Sequence, residues 1–302
     1  MRVPAFAASW RRALRRSVAF LRNPGVVLRR NGPALALRVG LTALLLAALP
    51  APGAAKPSAA SPIPPATRQL LVALADDWDQ TSGSLALFER PAPGAAWKPV
   101  VRALPVRFGR TGMAWGLGLH RPEALPGPEK REGDGKAPAG VFALGPAFAY
   151  EPKELGAMKL PVLQANATLV CVDDVASGLY NTLVDAQAMH AAGRPHGIDT
   201  SSPADAQSKP SEPSHERMRR ADEQYRFGLV VRHNMEPPVP GAGSCIFLHI
   251  WRSPESSTSG CTAMPPERMK ALLTRLNPAK QPLLVQLPRD EYVRLRQGWG
   301  LP

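Results

Sequence analysis

Four things are scarce in this 302-residue chain: cysteine, acid near the start, apolar runs long enough to cross a bilayer, and stretches without proline. There are three cysteines, an odd count that leaves at least one thiol unpaired. No acidic residue falls in the first 38 positions, which hold nine arginines: Arg2, Arg11, Arg12, Arg15, Arg16, Arg22, Arg29, Arg30 and Arg38. The apolar run behind them, "VGLTALLLAAL" from Val39 to Leu49, is about eleven residues, too short to span a bilayer comfortably. With 34 prolines, about twice the usual share, long helices are disfavoured and turns are favoured. No internal repeat is visible, and no group of residues has the spacing of a metal-ligand set, so neither a metal nor a cofactor is expected.

What is present is positive charge, +13 net with a pI near 10.3. On its own that suggests nucleic acid or an anionic membrane. Its position argues otherwise. The basic leader, the short apolar run and the small-residue stretch "APGAAKPSAA" read as a secretory signal over residues 1–55, cleaved near Ala55. A signal anchor and a start codon assigned too early are the alternatives. Without residues 1–55 the charge falls to roughly +4, so the basic bias is an address and not a nucleic-acid footprint. The expectation is an exported protein, periplasmic or cell-wall associated, with no nucleic-acid partner, and tied to the inner membrane only if the leader stays uncleaved.

Residues 56–67, rich in Ala, Pro and Ser, read as a linker, residues 68–288 as the folded domain and residues 289–302 as a C-terminal tail. Within the domain the runs "QLLVALA", "GSLALFE", "VRALPVRFG", "AGVFALG", "TLVCVDD", "FGLVVRH", "CIFLHIW" and "PLLVQLP" are short, apolar or alternating, and bounded by Gly and Pro, which predicts strands. Two segments predict helix. Pro265 to Leu276 opens on prolines tolerated in a first turn and places Met269, Leu272, Leu273 and Leu276 on one face. Ser214 to Tyr225 is mostly polar and reads as a surface helix. Residues 187–213 lack apolar periodicity and form an insertion loop; its His190 and His196, with His120 and His215, are expected to be exposed.

The chemistry concentrates in "FLHIWRSPESSTSGCTAM", Phe247 to Met264, where His249 and Cys261 lie twelve residues apart. A catalytic cysteine needs a base within reach and backbone donors for the oxyanion it creates. His249 on a strand and Cys261 after a returning loop can meet. Ser259-Gly260-Cys261 leads toward a helix whose amides favour a thiolate, and Gly260 leaves room for a carbonyl. Cys171 and Cys245, both in strand-like runs, are either buried thiols or a disulfide, and Cys261 is free.

The His…Ser-x-Gly-Cys pattern, followed by a helix and an apolar strand, resembles the catalytic segment of the L,D-transpeptidase family (YkuD-type catalytic domain). "KREGDGKAPAGVFALG", Lys130 to Gly145, is similar to that family's Glu-Gly-Asp and Pro-x-Gly-x-Phe segment, and "VCVDD", "YNTLVD" and "YRFGLVVRHN" follow in the same order. The resemblance covers about Arg68 to Leu287. It implies a mainly β fold, a YkuD-like β-sandwich with one helix packed after the cysteine loop and few others. It also implies that Cys261, deprotonated by His249, attacks the third residue of a peptidoglycan tetrapeptide stem. D-alanine leaves, a thioester remains, and a second stem takes the acyl group in a 3-3 cross-link. Backbone amides near Gly260 and Cys261, with Ser259 in the loop, would hold the oxyanion, and a backbone carbonyl would orient the histidine ring.

Departures mark a subfamily. Ala263 stands where many relatives carry an arginine that meets a substrate carboxylate, so Arg252, Arg232 and His233 become the candidate anchors. Ile250 stands where glycine is common, and the His-to-Cys spacing is short. Glu132 and Asp134 are acids in a turn, where capping of turn amides is the expected role. Competing readings are an L,D-carboxypeptidase on the same stems, a non-catalytic wall-binding module, and a sortase-like enzyme using His196, against which the Glu-Gly-Asp and Pro-x-Gly-x-Phe segments argue.

Overall fold

A computed structural model describes residues 61–120, 125–194, 196–201 and 212–302. The leader, residues 1–55, the start of the linker and the middle of the 187–213 loop lie outside the described residues. The strands are β1 (Gln69–Ala75), β2 (Ser82–Glu89), β3 (Lys98–Arg107), β4 (Met113–Trp115), β5 (Ala137–Ala149), β6 (Val162–Gln164), β7 (Leu169–Val172) and β8 (Thr182–Asp185). Helix α1 (Ala186–Ala191) follows, then β9 (His215–Arg217), β10 (Phe227–Val231), β11 (Phe247–Ile250), β12 (Thr262–Met264), α2 (Pro266–Arg275), β13 (Leu283–Pro288) and α3 (Arg289–Trp299). The protein is mainly β, as its sequence predicts.

The main sheet runs β10-β11-β12-β3-β2-β1-β13-β5-β4, with β6 also on β5. A further pairing of β10 with β5, the last strand but one, closes the sandwich on itself at that seam. Strand β1 lies between β2, antiparallel, and β13, parallel, and is buried almost throughout. A strand covered on both faces reads as the unbroken apolar run seen in "QLLVALA". Helix α2 packs on β10 and β11. Its Met269, Leu272 and Leu273, with Leu276 at its end, are fully buried, as the predicted spacing requires. Each such burial contributes roughly 1.5–3 kcal/mol.

A second, three-stranded sheet, β8-β7-β9, stands beside the first. A disulfide between Cys171 on β7 and Cys245, just before β11, ties the two together across 74 residues of sequence, with Cα atoms 5.9 Å apart. Cys245 is not itself in a strand: it adopts the left-handed conformation, φ 53°.

Three expectations need correction. Ser214 to Tyr225 is not a surface helix. Its first residues add to β7 as β9, and Met218 and Tyr225 are buried, because the open edge of β7 supplies backbone partners that an isolated polar helix would lack. Residues 289–302 are not a tail. They form α3 against β13 and β1, and Trp299 and Leu301 join the main core. His120 is buried against Trp115, Phe142 and Trp299, and a side chain at Gly140 would collide with it.

Trp299→Ala is accordingly expected to destabilise the protein by about 3 kcal/mol, the cost of an emptied core site, measured by urea unfolding. A tail residue would leave the midpoint unchanged.

Candidate active site

Side chains along a strand alternate faces. In β11, Leu248 and Ile250 join the main core under α2, which turns Phe247 and His249 the other way. β12 lies parallel to β11, with Leu248 opposite Thr262 and His249 opposite Ala263. One step back along that register, Cys261 falls beside Phe247, and the Phe247 amide donates to its Sγ at 3.3 Å. Cys261 and His249 are therefore diagonal neighbours on one face, and both line a cavity of about 570 Å³.

The loop between them is bound to the turn after β3. Thr258 N donates to Phe108 O at 2.9 Å and Arg110 N to Thr258 O at 2.8 Å. The Thr258 hydroxyl donates to Cys261 O at 2.6 Å and accepts from Gly260 N at 3.1 Å. Gly260 has φ 147°, and a Cβ there would sit 3.1 Å from Lys136 O, so only glycine fits without strain. Ser259 is exposed. The helix begins at Pro266, after β12, so the thiol does not lie at a helix N-terminus as its sequence suggested.

The electrostatics follow from burial. Cys261 is 7% exposed and His249 4%. Burial, reinforced by the charge of Glu216, pushes the thiol up to about 12; burial holds the imidazole down to about 4. The resting pair is a neutral thiol and a neutral imidazole. His249 Nδ1–H donates to Ile250 O at 2.7 Å, which fixes the ring and leaves Nε2 as the unprotonated nitrogen of the neutral ring. The thiol itself is placed to donate to Cys245 O, 3.6 Å away, and no hydrogen bond joins Cys261 to His249 among the described residues.

The remaining candidates divide. Arg252 lines the cavity mouth, 3.5 Å from Asp222, which also pairs with Arg220 at 2.7 Å. Arg232 pairs with Glu236 and does not line the cavity. His233 is a framework residue: Nδ1 accepts from Leu117 N at 3.2 Å, Nε2–H donates to Ala242 O at 3.0 Å, and it is 1% exposed. Asp134 caps its turn as expected, accepting from Arg131 N, Lys136 N and Lys130 Nζ. Glu132 also accepts from a turn amide, Gly133 N at 3.3 Å, while its other oxygen reaches across to Tyr180 and Ser244 and faces the cavity. Sequence reasoning missed Tyr225, Glu216, Arg220 and Thr258; the first three lay in the stretch read as a surface helix. Among the described residues no group of three His, Cys, Asp or Glu side chains is close enough to hold a metal ion.

A closed, mainly β domain thus brings a buried histidine on β11 and a buried cysteine one residue before β12 to the wall of one cavity, the two side chains that cysteine-dependent acyl transfer requires. Residues 96–285, more than half of the chain, match the L,D-transpeptidase catalytic domain family, YkuD, and the chain belongs to it. Members are cysteine-dependent transpeptidases that act on peptidoglycan stem peptides. No curated protein matches the chain.

Burial makes His233 a liability in acid. An unfolded imidazole takes a proton near pH 6.5, whereas burial delays protonation of the folded one to about 3. The unfolded state binds more protons in between, so stability falls as pH drops from 6.5, by about 1.4 kcal/mol per unit for each such histidine. His233→Gln, which keeps both hydrogen-bonding roles without the titration, should flatten the pH dependence of urea unfolding between pH 6 and 4 by about that slope.

Proposed function

We propose that this chain is a peptidoglycan L,D-transpeptidase that works through a Cys261 thioester on tetrapeptide stems. The observation that carries this reading is the placement of His249 on β11 and of Cys261, one residue before β12, on the same face and opening onto a single cavity. As the thiol attacks the carbonyl of the stem's third residue, His249 Nε2 takes its proton. That base spends little free energy on being neutral beforehand, because burial already keeps it so. The protonated imidazole then gives the proton to the departing D-alanine amine. The acyl group waits as a thioester until the side-chain amine of a second stem attacks it, forming a 3-3 cross-link; a free amino acid as acceptor gives exchange.

Oxyanion support comes from backbone amides near Gly260 and Cys261 in this reading. Donor carboxylates have partners at the cavity wall in Arg252 and Arg220, two cations sharing one Asp222, and in the exposed Arg110. These take the place of the arginine that Ala263 lacks. Export to the periplasm or cell wall is supported by the basic leader and by the Cys171–Cys245 disulfide, which suits an oxidising compartment.

Intact-mass analysis after incubation with a tetrapeptide-stem muropeptide should find a thioester adduct that has lost D-alanine, absent in Cys261→Ala. His249→Ala should lower kcat about 10²–10⁴-fold, the usual weight of a general base. Hydrolysed tripeptide without cross-linked dimer would reassign the chain as an L,D-carboxypeptidase, and no adduct from any stem would sink the enzymatic reading.

A further inference from the structure

Tyr225 and Glu216 are two titratable side chains at this site to which the mechanism above gives no task. Tyr225 is 5% exposed. Its ring stands edge-on to His249 at 5.0 Å and to Phe247 at 5.5 Å, touching the base and the residue whose amide holds the sulfur. It shares a buried cluster with Cys261, and its hydroxyl is among the groups that pull the thiol's pKa down against burial. In the resting structure that hydroxyl donates to Glu216 Oε2 at 2.7 Å.

A phenol has one hydrogen to donate, so it serves either the carboxylate or the sulfur. The state of Glu216 decides which. Glu216 sits on β9 at the cavity wall. Facing it are Asp173 at the end of β7 and Glu132 from the turn before β5, both of its own sign, and Arg220, of opposite sign and itself paired with Asp222. Tyr225 and the Cys261 thiol lie on its inner side, with neutral His249 beyond, and Lys130, paired with Asp134, completes the wall. Burial and the neighbouring acids raise Glu216 to about 7, so both of its forms are populated around neutrality. Ionised, it takes the phenolic hydrogen and its charge opposes a thiolate. Protonated, it donates to the phenolic oxygen and frees the phenolic hydrogen to turn to the sulfur. Both effects act in the same direction.

We propose that Tyr225 is a further catalytic residue of this chain, donating its hydroxyl hydrogen to the Cys261 sulfur as the thiolate forms, and that Glu216 is a positioning residue whose protonated form turns the hydroxyl that way. The thiol's own proton still passes to His249, and the phenol keeps its hydrogen throughout. The inference rests on Cys261 as the nucleophile.

The test reads thiol chemistry, independent of any stem peptide: the rate of Cys261 alkylation by iodoacetamide in the full chain, without reductant, from pH 5 to 9. Tyr225→Phe keeps the ring contacts and loses the hydroxyl, and should alkylate about tenfold more slowly at pH 7, equivalent to one pKa unit. Glu216→Gln, uncharged and able to donate to the phenol at every pH, should alkylate about tenfold faster than wild type at pH 8 and at the same rate near pH 5. Adding Tyr225→Phe should shrink that gain. Lost packing would not move the two variants in opposite directions; near-UV circular dichroism checks their fold, and if Tyr225→Phe is disordered, Glu216→Gln decides alone. Both variants slower, or Glu216→Gln indistinguishable from wild type across the range, would overturn the proposal. Alkylation as expected with no thioester on any stem would leave it standing and remove the transpeptidase reading instead.

Discussion

Three residue pairs, Leu248 with Thr262, His249 with Ala263 and Ile250 with Met264, hold β11 and β12 in parallel register, and the positions of His249 and Cys261 follow from them. A parallel neighbour cannot be reached by a tight hairpin. The chain must leave β11, cross over and return, and the loop from Trp251 to Cys261 is that crossover. Its path is fixed where Thr258 exchanges backbone hydrogen bonds with Phe108 and Arg110. Slipping the register by one residue would turn the thiol into the core and away from the cavity. Helix α2 on one side and the Cys171–Cys245 disulfide on the other oppose such a slip, the first through buried Leu272 and Leu273, the second by anchoring the residue two before the strand.

The depth that makes this placement rigid also sets the chemistry. A thiol raised to about 12 beside an imidazole lowered to about 4 does not form an ion pair at rest. The folded state therefore carries no buried charge on either side chain. The cavity wall carries charges of both signs, acids at Glu132, Asp173 and Glu216 and arginines at Arg110, Arg220 and Arg252. Such a mixed wall suits a peptide bearing both ammonium and carboxylate groups.

Much of the fold was legible because the signals were local. Eight apolar runs became strands, and the face through Met269, Leu272 and Leu273 became the buried side of α2. The short strands β4, β6, β8, β9 and β12, of three or four residues, carry too little pattern to be read, and they form where a neighbouring strand offers an edge. Polarity misled at Ser214 to Tyr225, where Glu216 and Arg220 are polar because they face the cavity, not bulk solvent. It misled again at Arg289 to Trp299, where charged residues cover one side of a helix whose Trp299 end is core.

At the site, the sequence by itself brought out Cys261 and His249 as the candidate pair, since a histidine on a strand, a glycine and a cysteine in one short segment are local facts, and it set Asp134 in its turn. The tertiary structure decided what surrounds them. Tyr225 reaches His249 because β9 adds to β7, His233 is withdrawn into the framework because Leu117 and Ala242 claim both its nitrogens, and Cys171 meets Cys245 across 74 residues. Each of these depends on which strand edges meet, and edge pairing is set by the packing of the whole domain, which no short stretch of chain encodes.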